Sequence, residues 1–301
     1  MSGIAHNLLP IEEFENQIEQ MRMHKSAKDG LALKKPLLLL LLIADIEKQK
    51  IPENRITFSQ VEADLANLIA LFGGRATTKP APEQPFYHLK SSPFWQLHNL
   101  PEKAKISAAK SLSSKELRDN EVFAELPKHI FQLIKHSPEN RARIAEFILR
   151  KWWPETLHEE MRQQLGLRYK NYVVKKIRDP DFAQAVLDNY RHQCAFCGFS
   201  AHLNNVSFGL DAAHIKWHAS NGPDELANGL ALCKLHHWSL DRGVLTLTKD
   251  LTLMIAKNFV AKESESINQI EKMQGRQIRE PRSDGPGPVF VEWHRENVFM
   301  G

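Results

Sequence analysis

Cysteine is nearly missing from this chain: three in 301 residues, too few for the paired framework of a disulfide scaffold. Long apolar runs are missing as well. The strongest, Leu37 to Ala44, follows Pro36 and stops at Asp45, far short of the roughly 20 residues that cross a bilayer, and it reads as a buried helix. Met1 to Pro10 has neither the basic start nor the apolar centre and small-residue cleavage site of a signal peptide. Internal repeats and low-complexity tracts are not seen. The expectation is a cytoplasmic protein with no membrane partner. Charge of one sign is not in excess either, since 40 Lys and Arg face 36 Asp and Glu for a formal net charge of +4. Such a balance permits a polyanionic partner without demanding one. What is present is an ordinary globular composition, 42% hydrophobic and 25% charged, on a chain long enough for two domains.

The first half is patterned for helices. Ile11, Phe14, Ile18 and Met21 share one helical face, and Lys34-Lys35-Pro36 opens the leucine helix at its first turn. The next helix is expected to begin near Ser59 as N-cap, with Glu62 three residues on. It carries Val61, Leu65, Leu68, Ile69 and Phe72 and stops at Gly73-Gly74. After a stretch rich in Pro and Thr, Thr77 to Pro85, the segments Phe86 to Leu89 and Phe94 to Leu97 read as strands of a small hairpin turned at Ser91-Ser92-Pro93. Helical patterns return at Glu121 to Lys135 and at Glu139 to Trp153, where Pro154 closes the run. A first domain is expected over residues 1–160, a helical linker broken at Asp179-Pro180 over 161–185, and a second domain over 186–301, where the composition turns to Cys, His and Asn.

All three cysteines fall in one pattern, Cys194-x-x-Cys197 followed later by Cys233-x-x-His236. Two such knuckles offer four thiolate or imidazole ligands, the set that closes a tetrahedral structural Zn²⁺ site. Unligated buried thiols, the competing reading, leave the paired x-x spacing unaccounted for. A redox role for Cys194 and Cys197 leaves the second knuckle unaccounted for. Between the knuckles, Leu210-Asp211-Ala212-Ala213-His214-Ile215 reads as a strand, and Asn228 ends a polar loop before Gly229-Leu230-Ala231-Leu232. His237, one step round a helix from His236, points elsewhere and is left for other chemistry; an exchange of the two roles is the alternative. His218 reads as a solvated loop residue or a DNA contact.

His214, Asn228 and His237, wrapped around a zinc scaffold, resemble the HNH endonuclease family with its ββα-metal active site. Asp241-Arg242-Gly243 resembles the Asp-x-Gly step of related members. The resemblance implies phosphodiester hydrolysis. His214 would be the general base that takes a proton from the attacking water, and His237 a ligand of a catalytic Mg²⁺ or Mn²⁺ that stabilises the charge of the transition state. Asn228 would fix the His214 imidazole or contribute to the metal. Asp211 departs from the family pattern, in which an acidic residue or a His directly precedes the base; here Ala213 has that place. On a strand Asp211 and His214 point opposite ways unless a bulge intervenes, so its part in holding the catalytic metal stays open. Asp241 falls on the helical face of His237, as an orienting partner or as a cap. Val244 to Thr248 and Leu251 to Ile255 read as a hairpin, and the tail from Val291 to Phe299, which resembles the closing segment of some HNH restriction enzymes, reads as cover for the core.

The first domain carries a second resemblance. Lys35-Pro36-Leu37-Leu38-Leu39-Leu40, Pro82-Glu83-Gln84-Pro85-Phe86-Tyr87 and Trp153-Pro154-Glu155-Thr156-Leu157-His158-Glu159 together resemble the sulfur-binding domain of restriction endonucleases that recognise phosphorothioate-modified DNA. A non-bridging sulfur is larger, more polarizable and less strongly hydrated than the oxygen it replaces, so a suitable reader is an apolar pocket beside a cation. The resemblance implies a pocket at Gln84, Pro85, Phe86 and Tyr87, with Lys34, Lys35 or Arg75 on the phosphate. The plainer reading of Pro85-Phe86-Tyr87 is a core strand, and of Lys34-Lys35 a solvated helix start.

The fold class expected is α+β: a mainly helical DNA-reading domain with a small sheet, joined to a zinc-stabilised ββα-metal domain. The function expected is a restriction endonuclease for phosphorothioate-modified double-stranded DNA, with a homodimer as one way to cut both strands. An HNH nuclease for methylated or unmodified DNA, and a zinc-stabilised binding module without catalysis, are the alternatives.

Overall fold

The computed structural model describes residues 10–26, 30–74, 80–102, 111–167, 180–204, 206–263 and 269–301. The first half is built around one helix. From Pro36 to Ile46 every residue of α2 (Lys34–Glu47) is buried, as a helix apolar on all sides requires. It is wrapped by α3 (Phe58–Phe72), α4 (Glu83–His88), α6 (Lys128–His136), α7 (Pro138–Trp152) and α8 (Glu155–Leu165). The helix α1 (Pro10–Glu19) lays Ile11, Phe14 and Ile18 onto the same core. A three-stranded antiparallel sheet edges this bundle, with β3 (Phe123–Glu125) between β1 (Ile56–Thr57) and β2 (Gln96–His98). Among the described residues no helix is long and apolar enough to cross a membrane.

Three local expectations change. The N-cap of α3 is Thr57, in a capping box with Gln60, not Ser59 with Glu62; Thr57 N donates to Gln60 Oε1 at 2.9 Å. The earlier start brings Phe58 into the first turn, where it is fully buried. Phe86 to His88 lies in the short helix α4, and Leu89–Ser91 continues as a 3-10 turn, so no strand forms there. A short apolar run is ambiguous between helix and strand. Here Pro85, Phe86 and Tyr87 are all buried in succession, and the Trp95 indole donates to the Phe86 carbonyl at 2.8 Å. The helix expected over Glu121 to Lys135 is split: α5 (Ser114–Asp119) precedes it, Glu121 takes φ +48°, the central strand β3 follows, and α6 begins only after Pro127.

The second half has its own smaller core, centred on Val186, Ala213, Ile215, Leu230, Leu232, Leu240, Leu245 and Leu253. Its centre is the hairpin of β4 (Leu210–His214) and β5 (Gly229–Cys233), paired without a bulge from Leu210↔Cys233 to His214↔Gly229. Two helices, α9 (Pro180–Asn189) and α10 (Lys234–Asp241), pack on this hairpin. The expected second hairpin forms as β6 (Leu245–Leu247) and β7 (Leu253–Ile255), and α11 (Pro288–Asn297) closes the unit with Val291 and His294 buried. His294 pins that helix through Thr246 Oγ1, 2.8 Å from its Nδ1, and the Leu240 carbonyl, 2.9 Å from its Nε2.

The two halves are joined by more than the chain. The helix α8, which runs across residue 160, places Leu157, Met161 and Leu165 in the first core, and that core also takes Trp217 and Val298 from the second half. Arg242 Nη1 donates to the Leu71 carbonyl, and its guanidinium lies 4.8 Å from the centre of the Phe72 ring. Gly243 follows in a left-handed turn, φ +74°, where a Cβ would come within 2.2 Å of the Val298 carbonyl. The Asp-x-Gly step seen in the sequence is thus a joint at which only glycine fits.

Candidate active site

The cysteine knuckles come together as their spacing predicts. Cys194, Cys197, Cys233 and His236 place their ligand atoms within 4.8 Å of one another. A tetrahedral zinc with arms of ~2.3 Å needs edges of ~3.8 Å, so this donor set fits a closed structural site. His236 turns Nδ1 to the cluster, 3.1 Å from Cys233 Sγ and 3.5 Å from Cys194 Sγ. Its Nε2 lies 3.1 Å from the Gln269 carbonyl, a partner that fixes the tautomer a metal needs. Hydrogen bonds from Cys197, Cys233 and His236 hold the Cys194 thiol far below the usual thiol range.

On the regular ladder of β4, Asp211 and His214 fall on opposite faces. His214, at the end of the strand, stacks on Phe182 of α9 with ring centroids 4.4 Å apart, and its Nε2 lies 2.7 Å from Asp224 Oδ1. Its side chain keeps 15% of its surface exposed. Neither Asp224 nor Phe182 was marked by the sequence: Gly222-Pro223-Asp224 reads as any polar turn, and Phe182 as one apolar position of a helix.

Asn228 is fully buried and closes the loop that follows His214. Its Oδ1 accepts from Lys216 N at 2.8 Å, and its Nδ2 donates to the carbonyls of Pro223 at 2.9 Å and Lys216 at 3.1 Å. The Ile215 N–H donates to the Asn228 carbonyl at 2.9 Å. The loop is so tight that a Cβ on Gly222 would meet the Lys216 carbonyl at 1.9 Å. These bonds hold the backbone on both sides of Lys216, directly after the strand end that carries His214.

His237 points away from the cysteine cluster and lies between two carboxylates. Asp211 Oδ2 is 3.0 Å from its Nδ1, and Asp241 Oδ2 is 3.3 Å from its Nε2. Burial alone would lower the imidazole, but Asp241 and Asp211 outweigh it and raise it to about 9. Asp211 is also held by Lys234 Nζ, 2.6 Å from its Oδ1. Burial would raise this carboxyl, yet His237 and Lys234 pull it down to about 2. Adjacent ligands of an octahedral divalent ion, with arms of ~2.1 Å, lie ~3.0 Å apart, so Asp211 Oδ2 and His237 Nδ1 fit one edge of such a site. Nε2–H would then remain on Asp241, the carboxylate-histidine arrangement common behind metal-bound imidazoles.

In the first half, cations gather beside α4. Lys34 Nζ donates to Gln84 Oε1 at 3.0 Å, Lys35 Nζ donates to the Arg22 carbonyl at 2.8 Å, and Lys90 Nζ stands 3.8 Å above the Tyr87 ring. Burial and the neighbouring Arg22 lower Lys35, while burial together with Lys35, Lys90 and His24 lowers His88. Gln84 is exposed beside buried Pro85. Phe86 and Tyr87 have no exposed surface; Phe86 meets Phe58 and Trp95 edge to face, so these rings support the wall from behind. Arg75 lies outside the described residues.

Comparison with known proteins gives each half a relative. Residues 11–170, more than half of the chain, match the family model described as "ScoMcrA-like, DNA sulfur-binding domain", and residues 194–248 match the HNH endonuclease model. No curated protein matches the chain significantly. Among solved structures, it is similar to the sulfur binding domain of SprMcrA complexed with phosphorothioated DNA, at 16% identity over 53% of this chain and 95% of that one, TM-score 0.42. It is similar to the sulfur binding domain of ScoMcrA, also complexed with phosphorothioated DNA, at 21% identity over 50% and 98%, TM-score 0.41. The type IV phosphorothioation-dependent restriction endonuclease ScoMcrA is matched at 18% identity over 66% of this chain and 35% of that one, TM-score 0.39. The chain belongs to the ScoMcrA-like DNA sulfur-binding domain family and, with an HNH endonuclease domain behind that region, is a nuclease.

Proposed function

We propose that this protein is a modification-dependent restriction endonuclease: residues 1–160 read a phosphorothioate linkage in double-stranded DNA, and the HNH half cuts a phosphodiester bond nearby. The observation that carries the reading is one chain in which a sulfur-binding-domain match over 11–170 precedes an HNH match that holds His214, Asn228 and His237 together with a Cys3His cluster. In the reader, Pro85 is assigned the apolar wall, and Lys34, whose ammonium meets the neighbouring Gln84, the charge beside it. This pairing suits a polarizable, weakly hydrated sulfur on a charged phosphate.

In the nuclease half, His214 is assigned the general base. Asp224 accepts from Nε2–H and so makes Nδ1 the basic nitrogen, while stacking on Phe182 fixes the ring plane. Asn228 is assigned the loop lock that keeps the end of β4 in place. Asp211 and His237 are assigned to a catalytic Mg²⁺ or Mn²⁺, with Asp241 behind His237; when bound, such an ion neutralises charge on the scissile phosphate and the leaving oxygen. Cys194, Cys197, Cys233 and His236 are assigned a structural Zn²⁺. One such centre per chain cuts one strand at a time, so a double-strand break calls for two copies or two successive nicks.

The test is incubation with Mg²⁺ or Mn²⁺ of matched duplexes that differ in a single phosphorothioate of defined stereochemistry. Cleavage of the sulfur-bearing duplex alone, lost in His214→Ala with DNA binding and zinc content kept, is the expected result. Equal cleavage of both duplexes discards the sulfur reader, and cleavage by His214→Ala discards the assigned base.

A further inference from the structure

We propose that Thr156, a residue of the sulfur-reading half, is a positioning residue for the nuclease centre; the proposal rests on the nuclease reading given above. The helix α8 that carries it is rooted in the first core through Leu157, Met161 and Leu165. Just before this helix, the Trp153 indole donates to the Phe72 carbonyl at 3.0 Å. From that base Thr156 Oγ1 donates to Asp241 Oδ2. The same oxygen lies 3.3 Å from His237 Nε2, and His237 Nδ1 is 3.0 Å from Asp211 Oδ2. A continuous polar chain thus runs from one half of the molecule to the proposed catalytic metal ligands of the other.

The burial of its middle member makes this chain matter. Asp241 is 2% exposed, and a carboxylate with so little water must find donors in the protein or give up its charge. One of its donors, Thr156, belongs to a different core. The adjacent residue clamps the two helices at this point: Arg242 donates to the Leu71 carbonyl and lies 3.5 Å from Glu160 Oε1, both in the first half. A shift of α8 along α10 by the length of one hydrogen bond would strip Asp241 Oδ2 of its hydroxyl partner and release the His237 ring to turn. The sulfur-reading half is in this sense part of the wall behind the nuclease centre.

The test compares Thr156→Val and Thr156→Ser in the full chain. Readouts are single-turnover cleavage of a phosphorothioate duplex with Mn²⁺, binding of that duplex without divalent ion, and the long-range ¹H–¹⁵N NMR correlation of the His237 ring, assigned with His237→Ala. Loss of a hydrogen bond to a charged group should slow cleavage by Thr156→Val on the order of tenfold or more and shift the ring signal. Zinc content should be unchanged and DNA binding should stay within about twofold, since Thr156 is not among the residues assigned to the sulfur or the phosphate. Thr156→Ser should restore rate and signal. Wild-type cleavage with an unshifted ring in Thr156→Val, or a Ser variant as impaired as the Val variant, overturns the proposal. If Thr156→Val does not fold, Asp241→Asn provides the second probe, and a wild-type rate with an unshifted His237 ring there overturns it equally. Should the unaltered protein fail to cut any duplex, the nuclease reading falls, while the His237 signal still decides whether Thr156 positions that ring.

Discussion

The two halves of this molecule are held together by different physics. The first is organised by burial: α2 is buried on every face, and Phe14, Phe58, Phe86, Phe94, Trp95 and Trp153 fill the space around it. The second has a small apolar core and relies on a few polar fixtures, namely the Cys3His cluster, the Asn228 lock, the His294 pin and the His237 sandwich. An apolar core spreads its stabilisation over many contacts and loses it in steps. A polar fixture is lost whole when one member goes, because the remaining members are left buried without partners. Damage should therefore be graded on one side and abrupt on the other.

The largest expected effect is at the cysteines. Structural zinc in small domains contributes on the order of 10 kcal/mol to folding, so Cys197→Ser should remove the zinc and the cooperative unfolding of the second half. The melting transition of the first should remain, lowered by the loss of Trp217 and Val298 from its core. Calorimetry with zinc analysis checks this, and a variant that keeps both transitions would show that the second half stands without its Cys3His cluster. Next is Leu40→Ala, at a fully buried position of α2; the expected loss is about 2 to 5 kcal/mol in denaturant titration, with zinc retained. An abrupt collapse of both halves instead would show that the first half is no more tolerant than the second.

The pH response should expose one polar fixture of the second half, the His294 pin. Burial lowers His294 to about 4, below its unfolded value near 6.5. Between these values the unfolded chain binds the proton and the folded chain does not, so the stability held by a neutral His294 is full above ~6.5 and is lost as pH falls toward about 4, on the order of 3 kcal/mol in all. Unfolding midpoints followed through a probe in α11 should show this slope, and His294→Gln should flatten it. The smallest effect sharpens the picture on the side of the first core. Ser113 caps α5 by accepting from Glu116 N at 3.3 Å, and Ser113→Ala should cost about 1 kcal/mol without touching cleavage; a larger loss would mean that this short helix supports the reader's sheet.

What could be read from the sequence follows the same division. The Cys3His cluster was legible because ligand-bearing side chains gathered by two chain turns need short intervals within each turn, and Cys194, Cys197, Cys233 and His236 keep them. The separation of His236 from His237 followed from helical rotation alone. The opposition of Asp211 and His214 followed from strand alternation, but its consequence did not: only the packing of α10 on the hairpin brings Asp211 to His237. Asp224 reaches His214 through the folded path of a loop, and no periodicity encodes that path. In the first half the longer helices were legible from their apolar faces. The run from Phe86 to Leu89 was misread because total burial erases the alternation that tells strand from helix.

The seam along α8 has a consequence for how such a protein can be taken apart. Trp217 and Val298 of the nuclease half complete the reader's core, and Arg242 reaches back to Leu71 and Glu160. A gene divided between α8 and α9 would encode two fragments that each expose a matching scar, one lacking its plugs and the other carrying them loose. Such fragments should find one another when coexpressed, and an exchange of readers between nucleases of this kind would have to transplant the scar along with the domain.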